Sequence, residues 1–179
     1  DIEDVIASIY EKTMIQTNLL LDQNVINRVV NRILNASHID IYGTGITDTI
    51  AKEMYFKFQI LGLPCQIHNG ANVRYLERIR LQKNNVSILI STSGNNKLIA
   101  DIAKTLSDSH IYTVGIVSTQ GNKVADYCQD IIRFDTSLFR DVDTFCSTFA
   151  ASYIVNILYA SLFYRFETEK YLKNCERDL

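Results

Sequence analysis

Val86-Ser87-Ile88-Leu89-Ile90-Ser91-Thr92-Ser93-Gly94-Asn95-Asn96 is the stretch that decides the fold. Its apolar run, Val86 to Ile90, is too short for a helix and suits a strand buried on both faces. The run stops at three hydroxyls, a glycine and two amides, and a helix is expected over about 95–108. A buried strand that passes through a short polar turn into a helix is half of a βαβ unit, which calls for a parallel sheet.

Four similar runs lie to either side: Ile39–Tyr42, Cys65–Ile67, Ile111–Val117 and Ile131–Phe134. The segments between and after them are expected to be helical at about 47–62, 71–82, 121–127 and 142–166. The sole proline, Pro64, follows Gly62 where a helix must give way to a strand. Upstream, Ile2, Val5, Ile6, Ile9, Leu19 and Leu20 trace a helical stripe over 2–20, and a second helix is expected from an Asp22 N-cap to Ala36. Alternating strands and helices predict an α/β fold, a flavodoxin-like three-layer αβα sandwich on a five-stranded parallel sheet. With 179 residues the chain suits one domain. Within it, residues 1–37 read as a helical segment packed on a body formed by 38–179.

Bulk composition narrows the function classes. The net charge is −2, so the chain carries no basic footprint for nucleic acid. Cys65, Cys128, Cys146 and Cys175 form no CxxC, and His38, His68 and His110 are scattered, so no metal site is visible. The cysteines read as free thiols in a cytoplasmic protein. Thr144 to Tyr164 carries no charge, yet Thr144, Ser147, Thr148, Ser152, Asn156 and Ser161 dilute it below the hydropathy of a spanning helix. It reads as a core or interface helix, with no membrane partner.

In an open parallel sheet, ligands bind beyond the carboxyl ends of the strands. Two ends stand out: Tyr42-Gly43-Thr44-Gly45-Ile46-Thr47 and Ser91-Thr92-Ser93-Gly94-Asn95-Asn96. Each leads into a helix, whose first amides and positive dipole end favour an anion. No Lys follows the glycines, so this is not a Walker A loop, and Asp48 holds the third glycine position of a dinucleotide fingerprint, which disfavours NAD. A lone Gly-x-Gly is more often a plain turn. Paired with Ser-x-Ser-Gly in the same sheet, it points to an anion site of unspecified anion.

At these two loops the chain resembles the SIS (sugar isomerase) domain family, which carries Gly-x-Gly-x-Ser after its first strand and Ser-x-Ser-Gly-x-Thr after its third. Residues 43–47 and 91–96 fit, as do Ala51-Lys52, Lys57 and Leu61-Gly62 on the helix between them. The flanking helices resemble the effector-binding half of RpiR-type transcription regulators, and the likeness covers roughly 15–165. The resemblance implies that Gly43, Gly45, Thr47, Asn72, Ser91, Thr92, Ser93, Gly94 and Asn96 bind a phosphorylated sugar without any cofactor. Within that set Ser91, Thr92, Ser93 and Asn96 would hold the phosphate. Thr47 and Asn96 stand where the family has Ser and Thr or Ser, and Asn72 stands where many of the regulators carry a histidine.

An aldose–ketose isomerase would need a base over its substrate. His68 is the candidate, at the end of the second strand, but a histidine there is more often simply bonded to the backbone. His110 lies at the wrong edge of the sheet, Glu77 reads as solvated, and Glu167 and Glu169 fall past the long helix in a charged tail. A phosphate cradle without a base favours a sensor over the alternatives, a stand-alone sugar-phosphate isomerase or a structural module without a ligand. A chain starting at Asp1 rather than Met is expected to be part of a regulator whose DNA-binding helix-turn-helix precedes it. A homodimer or tetramer is expected, with DNA contacted only through that preceding domain.

Overall fold

The computed structural model describes residues 1–70, 73–79, 83–136 and 143–177. Five strands form one sheet in the order β2-β1-β3-β4-β5 and every pairing is parallel. The strands are β1 (His38–Tyr42), β2 (Cys65–His68), β3 (Asn85–Ser91), β4 (Tyr112–Ser118) and β5 (Asp130–Phe134). The helices are α1 (Ile2–Leu20), α2 (Gln23–Leu34), α3 (Ile46–Ile60), α4 (Val73–Ile79), α5 (Lys97–Asp108) and α6 (Asp143–Arg177).

Both faces of the sheet are covered, which is why β3 and β4 are buried at every residue. One apolar core joins Ile39, Ile41, Ile88, Ile90, Val114 and Ile116 to α2, α3 and α6. The other joins Leu89 and Val117 to α4 and α5 through Leu76, Ile99, Ile102, Ala103 and Leu106. β1 lies between β2 and β3, and its following helix, α3, covers the opposite face from α5. The order of the sheet therefore reverses between β1 and β3, and a crevice opens between their carboxyl ends.

Three elements differ from the sequence expectation. The helix expected at 121–127 is a single 3-10 turn, Ala125–Tyr127, because the residues before it are held against a neighbouring loop. The last helix does not stop at 166. It runs to Arg177, so Glu167 and Glu169 lie on it and are exposed. The segment Arg165 to Arg177 is rich in Glu, Lys and Arg, which continue a helix readily.

α1 is the third. Its apolar stripe largely faces out, with Ile2, Val5, Ile15, Leu19 and Leu20 exposed, while Ile9, Thr13 and Thr17 are buried. Thr17 Oγ1 accepts a hydrogen bond from the Asp135 amide at 3.1 Å, so the buried stripe is partly polar. Asp22 caps α2 as expected, accepting from the Asn24 amide at 2.8 Å. Among the described residues no helix is long and apolar enough to cross a membrane.

Candidate functional site

Thr44, Thr47, Ile90, Ser91, Thr92, Ser93, Asn96 and Ile99 line one cavity of about 40 Å³ at the β1/β3 crevice. Five of the nine residues expected from the sequence therefore meet on its wall: Thr47, Ser91, Thr92, Ser93 and Asn96. Gly43, Gly45 and Gly94 shape its two loops. Asn72 lies outside the described residues, and so does the Glu77 side chain.

The first loop is folded tightly by Thr47. Its hydroxyl donates to the Thr44 carbonyl at 2.8 Å and accepts from the Thr44 amide at 2.9 Å. The hydroxyl hydrogen is thus engaged within the loop, so Thr47 acts on the shape of the cavity wall. Gly43 permits this turn, because a Cβ there would lie 2.5 Å from the Thr47 carbonyl oxygen. Gly45 supplies a φ of +62 just before α3 starts.

The second loop is a set of short internal hydrogen bonds. Ser91 Oγ accepts from the Gly94 amide at 3.1 Å, and Ser93 Oγ accepts from the Asn95 amide at 3.1 Å. Each hydroxyl keeps its own hydrogen to donate elsewhere. Asn96 is the N-cap of α5, its Oδ1 accepting from the Ile99 amide at 3.1 Å. Its NH2 group remains as a donor on the cavity wall. The amide in place of the family's hydroxyl therefore keeps both jobs, cap and donor. Lys97, exposed in the first turn of α5, puts a cation where the helix dipole is already positive. That placement is unfavourable alone and favourable beside an anion.

His68 ends β2 as expected, but its partner differs from the expected one. It is bonded to a side chain, not to the backbone: Nε2 lies 2.7 Å from Asp40 Oδ1. Its ring stacks on Tyr42, at 4.8 Å between centroids, and lies tilted against Tyr75, at 4.5 Å. Tyr75 donates its hydroxyl to the same Asp40 oxygen, and His38 Nε2 lies 3.3 Å from it. Asp40 is fully buried, and its Oδ2 has no hydrogen-bond partner among the described residues. Burial, with the charge of Asp40 beside it, pushes the Tyr42 phenol well above its ordinary range. His68 does not line the cavity at the β1/β3 crevice. The cluster was not visible in the sequence, because Asp40, His68 and Tyr75 come from β1, β2 and α4 and meet only across the sheet.

Two carboxylates of α3 are engaged away from the cavity. Glu53 on α3 accepts from Lys57 at 2.6 Å and from Ser152 of α6 at 2.8 Å. Asp48 pairs with Lys52 at 2.7 Å. His110, at a left-handed φ of 57, sits at the amino edge of the sheet beside Asn84 and Tyr112, far from both loops. Among the described residues no group of His, Cys, Asp or Glu is placed to hold a metal ion.

The family model of the SIS domain matches residues 32–161, most of the chain and both loops. The chain belongs to the SIS domain family. One curated relative is the HTH-type transcriptional regulator RpiR of Escherichia coli, 23% identical over 130 residues, 71% of this chain and 44% of that protein. The chain spans about four tenths of the length of the curated regulators it matches. Among solved structures, NanR of Vibrio vulnificus complexed with ManNAc-6P superposes with a TM-score of 0.83 at 18% identity, covering 98% of this chain and 68% of that one. The phosphoheptose isomerase of Neisseria gonorrhoeae superposes with a TM-score of 0.68 at 11% identity, covering 90% and 98%. Likeness at such identities establishes the SIS fold, which regulators and isomerases share.

Proposed function

We propose that this SIS domain is the effector-binding part of an RpiR-type transcription regulator and binds a phosphorylated sugar without turning it over. The observation that carries the reading is the cavity at the β1/β3 crevice. Hydroxyls of Ser91 and Ser93, the Asn96 NH2 and the amino end of α5 converge there on a space suited to one phosphoryl group. The phosphoryl group would sit on this loop, with the sugar extending outward along the crevice. The phosphosugar named for NanR supports the ligand class.

Turnover would need a base at the sugar. His68 is committed to Asp40 and is off the cavity wall, and Glu53 is engaged by Lys57 and Ser152. Specific support for the isomerase alternative comes from the same Asp40–His68 pair, since a carboxylate that orients a histidine is how a general base is often held.

In this reading residues 38–179 form the phosphosugar-binding body, with residues 1–37 packed on it and leading back to a DNA-binding domain. The protein is a homodimer or tetramer working in the cytoplasm, and it contacts DNA only through that preceding domain. A ligand shifts a two-state protein only through different affinities for the two states.

Calorimetry against hexose, N-acetylhexosamine and pentose phosphates tests the reading. One of them should bind saturably, and a Ser91→Ala, Ser93→Ala double variant should lose it. In the full-length protein the ligand should change operator affinity by about 5- to 150-fold. Interconversion of an aldose and a ketose phosphate at tens of turnovers per second, ordinary enzyme speed, would overturn the sensor in favour of the isomerase.

A further inference from the structure

The anion loop does not stand alone. It is pressed against the loop that joins β4 to β5. Gly94 has a φ of +66, and a Cβ there would lie 2.4 Å from the Gly121 carbonyl oxygen. A Cβ on Gly121 would in turn lie within 2.5 Å of the Asn95 side-chain amide. Two bonds cross between the loops: the Val124 amide donates to the Gly94 carbonyl at 3.0 Å, and the Lys123 amide to Asn95 Oδ1 at 3.4 Å. Backbone lies directly on backbone, so any shift of the 118–124 loop must move Gly94 and Asn95.

One side chain fixes that second loop. Arg133, in β5, donates from Nη1 to the Ser118 carbonyl at 2.9 Å and the Gly121 carbonyl at 3.4 Å, and from Nη2 to Asn122 Oδ1 at 2.7 Å. The Gly121 oxygen that Arg133 holds is the one against which Gly94 rests. A planar guanidinium can reach both carbonyls and the amide oxygen together, which an ammonium cannot do with the same geometry. Arg133 itself does not line the anion cavity.

We propose that Arg133 is a positioning residue for anion binding, acting through Gly121 to hold Gly94, Asn95 and the start of α5 in the geometry that receives phosphate. This rests on the reading of the Ser91–Asn96 loop as the phosphate site. The loop's donors are short side chains and backbone amides, whose reach is fixed by the backbone. A displacement of about 1 Å in such donors is enough to cost large factors in affinity or rate.

The probe is inorganic phosphate, titrated into the 15N-labelled chain while the amides of Gly94, Asn95 and Gly121 are followed by NMR. In Arg133→Gln the phosphate dissociation constant should rise at least fivefold, and the Gly94 and Asn95 amides should be displaced before any phosphate is added. Arg133→Lys should recover only part of the affinity. Gly121→Ala should weaken binding comparably, and the added Asn95→Ala change, which removes the side chain that the new Cβ strikes but also the Lys123–Asn95 bond, should restore part of it. That rescue is not expected of a residue that merely stabilises the fold, and it remains testable if Arg133→Gln does not fold. Wild-type affinity in Arg133→Gln, or Gly121→Ala with wild-type affinity, overturns the proposal while leaving the phosphate site standing. Absence of saturable phosphate binding in the wild-type chain overturns the phosphate site itself.

Discussion

Replacing Asn96 by Asp separates two roles that this side chain combines at one position. Its Oδ1 caps α5 by accepting from the Ile99 amide at 3.1 Å, and the residue lines the cavity at the β1/β3 crevice, where its NH2 is proposed to meet the anion. Asp has nearly the same shape and caps as well as Asn. Its charge at a helix amino end is favourable by about 0.3–1 kcal/mol. The Asn96→Asp protein should therefore unfold at the same temperature as wild type or slightly higher. Binding should respond in the opposite direction. A hydrogen bond to a charged group is worth about 1.5–3 kcal/mol and is lost. A carboxylate about 4 Å from the anion adds repulsion of up to about 4 kcal/mol at an effective dielectric constant near 20, less where water screens the open side of the cavity. With tenfold in affinity for about every 1.4 kcal/mol, the dissociation constant should rise about a hundredfold or more. Asn96→Ser keeps the cap, restores the hydroxyl of the family pattern and should stay within a few-fold of wild type. Calorimetry with the tightest sugar phosphate and thermal unfolding of all three proteins make the test. If Asn96→Asp binds with wild-type affinity, the Asn96 amide does not face the anion and the site is wrongly drawn.

Gly43→Ala puts a methyl group 2.5 Å from the Thr47 carbonyl oxygen, a backbone atom that cannot give way cheaply; overpacking of this kind costs about 1–3 kcal/mol. Chemical denaturation should show that loss, and ligand binding should fall with it. Tyr112→Phe removes a 2.6 Å hydrogen bond to Asp130, which should cost about 1.5–3 kcal/mol at pH 7. Burial raises the Asp130 pKa, but bonds from Arg28 and Tyr112 outweigh it and hold the carboxyl below its ordinary range. Because the folded value is the lower one, the stabilisation is present above about pH 4 and fades as pH falls through the folded value. The Tyr112→Phe deficit should shrink in the same window, and an equal deficit at pH 3 and pH 7 would contradict the assignment. For self-association, Phe163 and Tyr164 on α6 and Phe56 and Ile60 on α3 are exposed, as is the outward stripe of α1. Light scattering at tens of micromolar should give at least a dimer, and a monomer there would count against that proposal.

The sequence by itself determined the architecture and the two loops. Runs such as Val86–Ile90 are short and rich in apolar, β-branched residues, a pattern suited to a strand covered on both sides, and their alternation with helices leaves a parallel sheet as the consistent answer. The glycines and hydroxyls at 43–47 and 91–96 were legible because they act locally: each loop closes its own hydrogen bonds within three or four residues. Tertiary structure decided what depends on distant residues meeting. Asp40, His68 and Tyr75 gather across β1, β2 and α4, which turns the one candidate base into a side chain bonded to a buried carboxylate. Gly94 and Gly121, far apart in the chain, press together, so the helix expected at 121–127 shrinks to one 3-10 turn. The outward stripe of α1 belongs to the same class: periodicity marks an apolar face, and only packing decides which way it points.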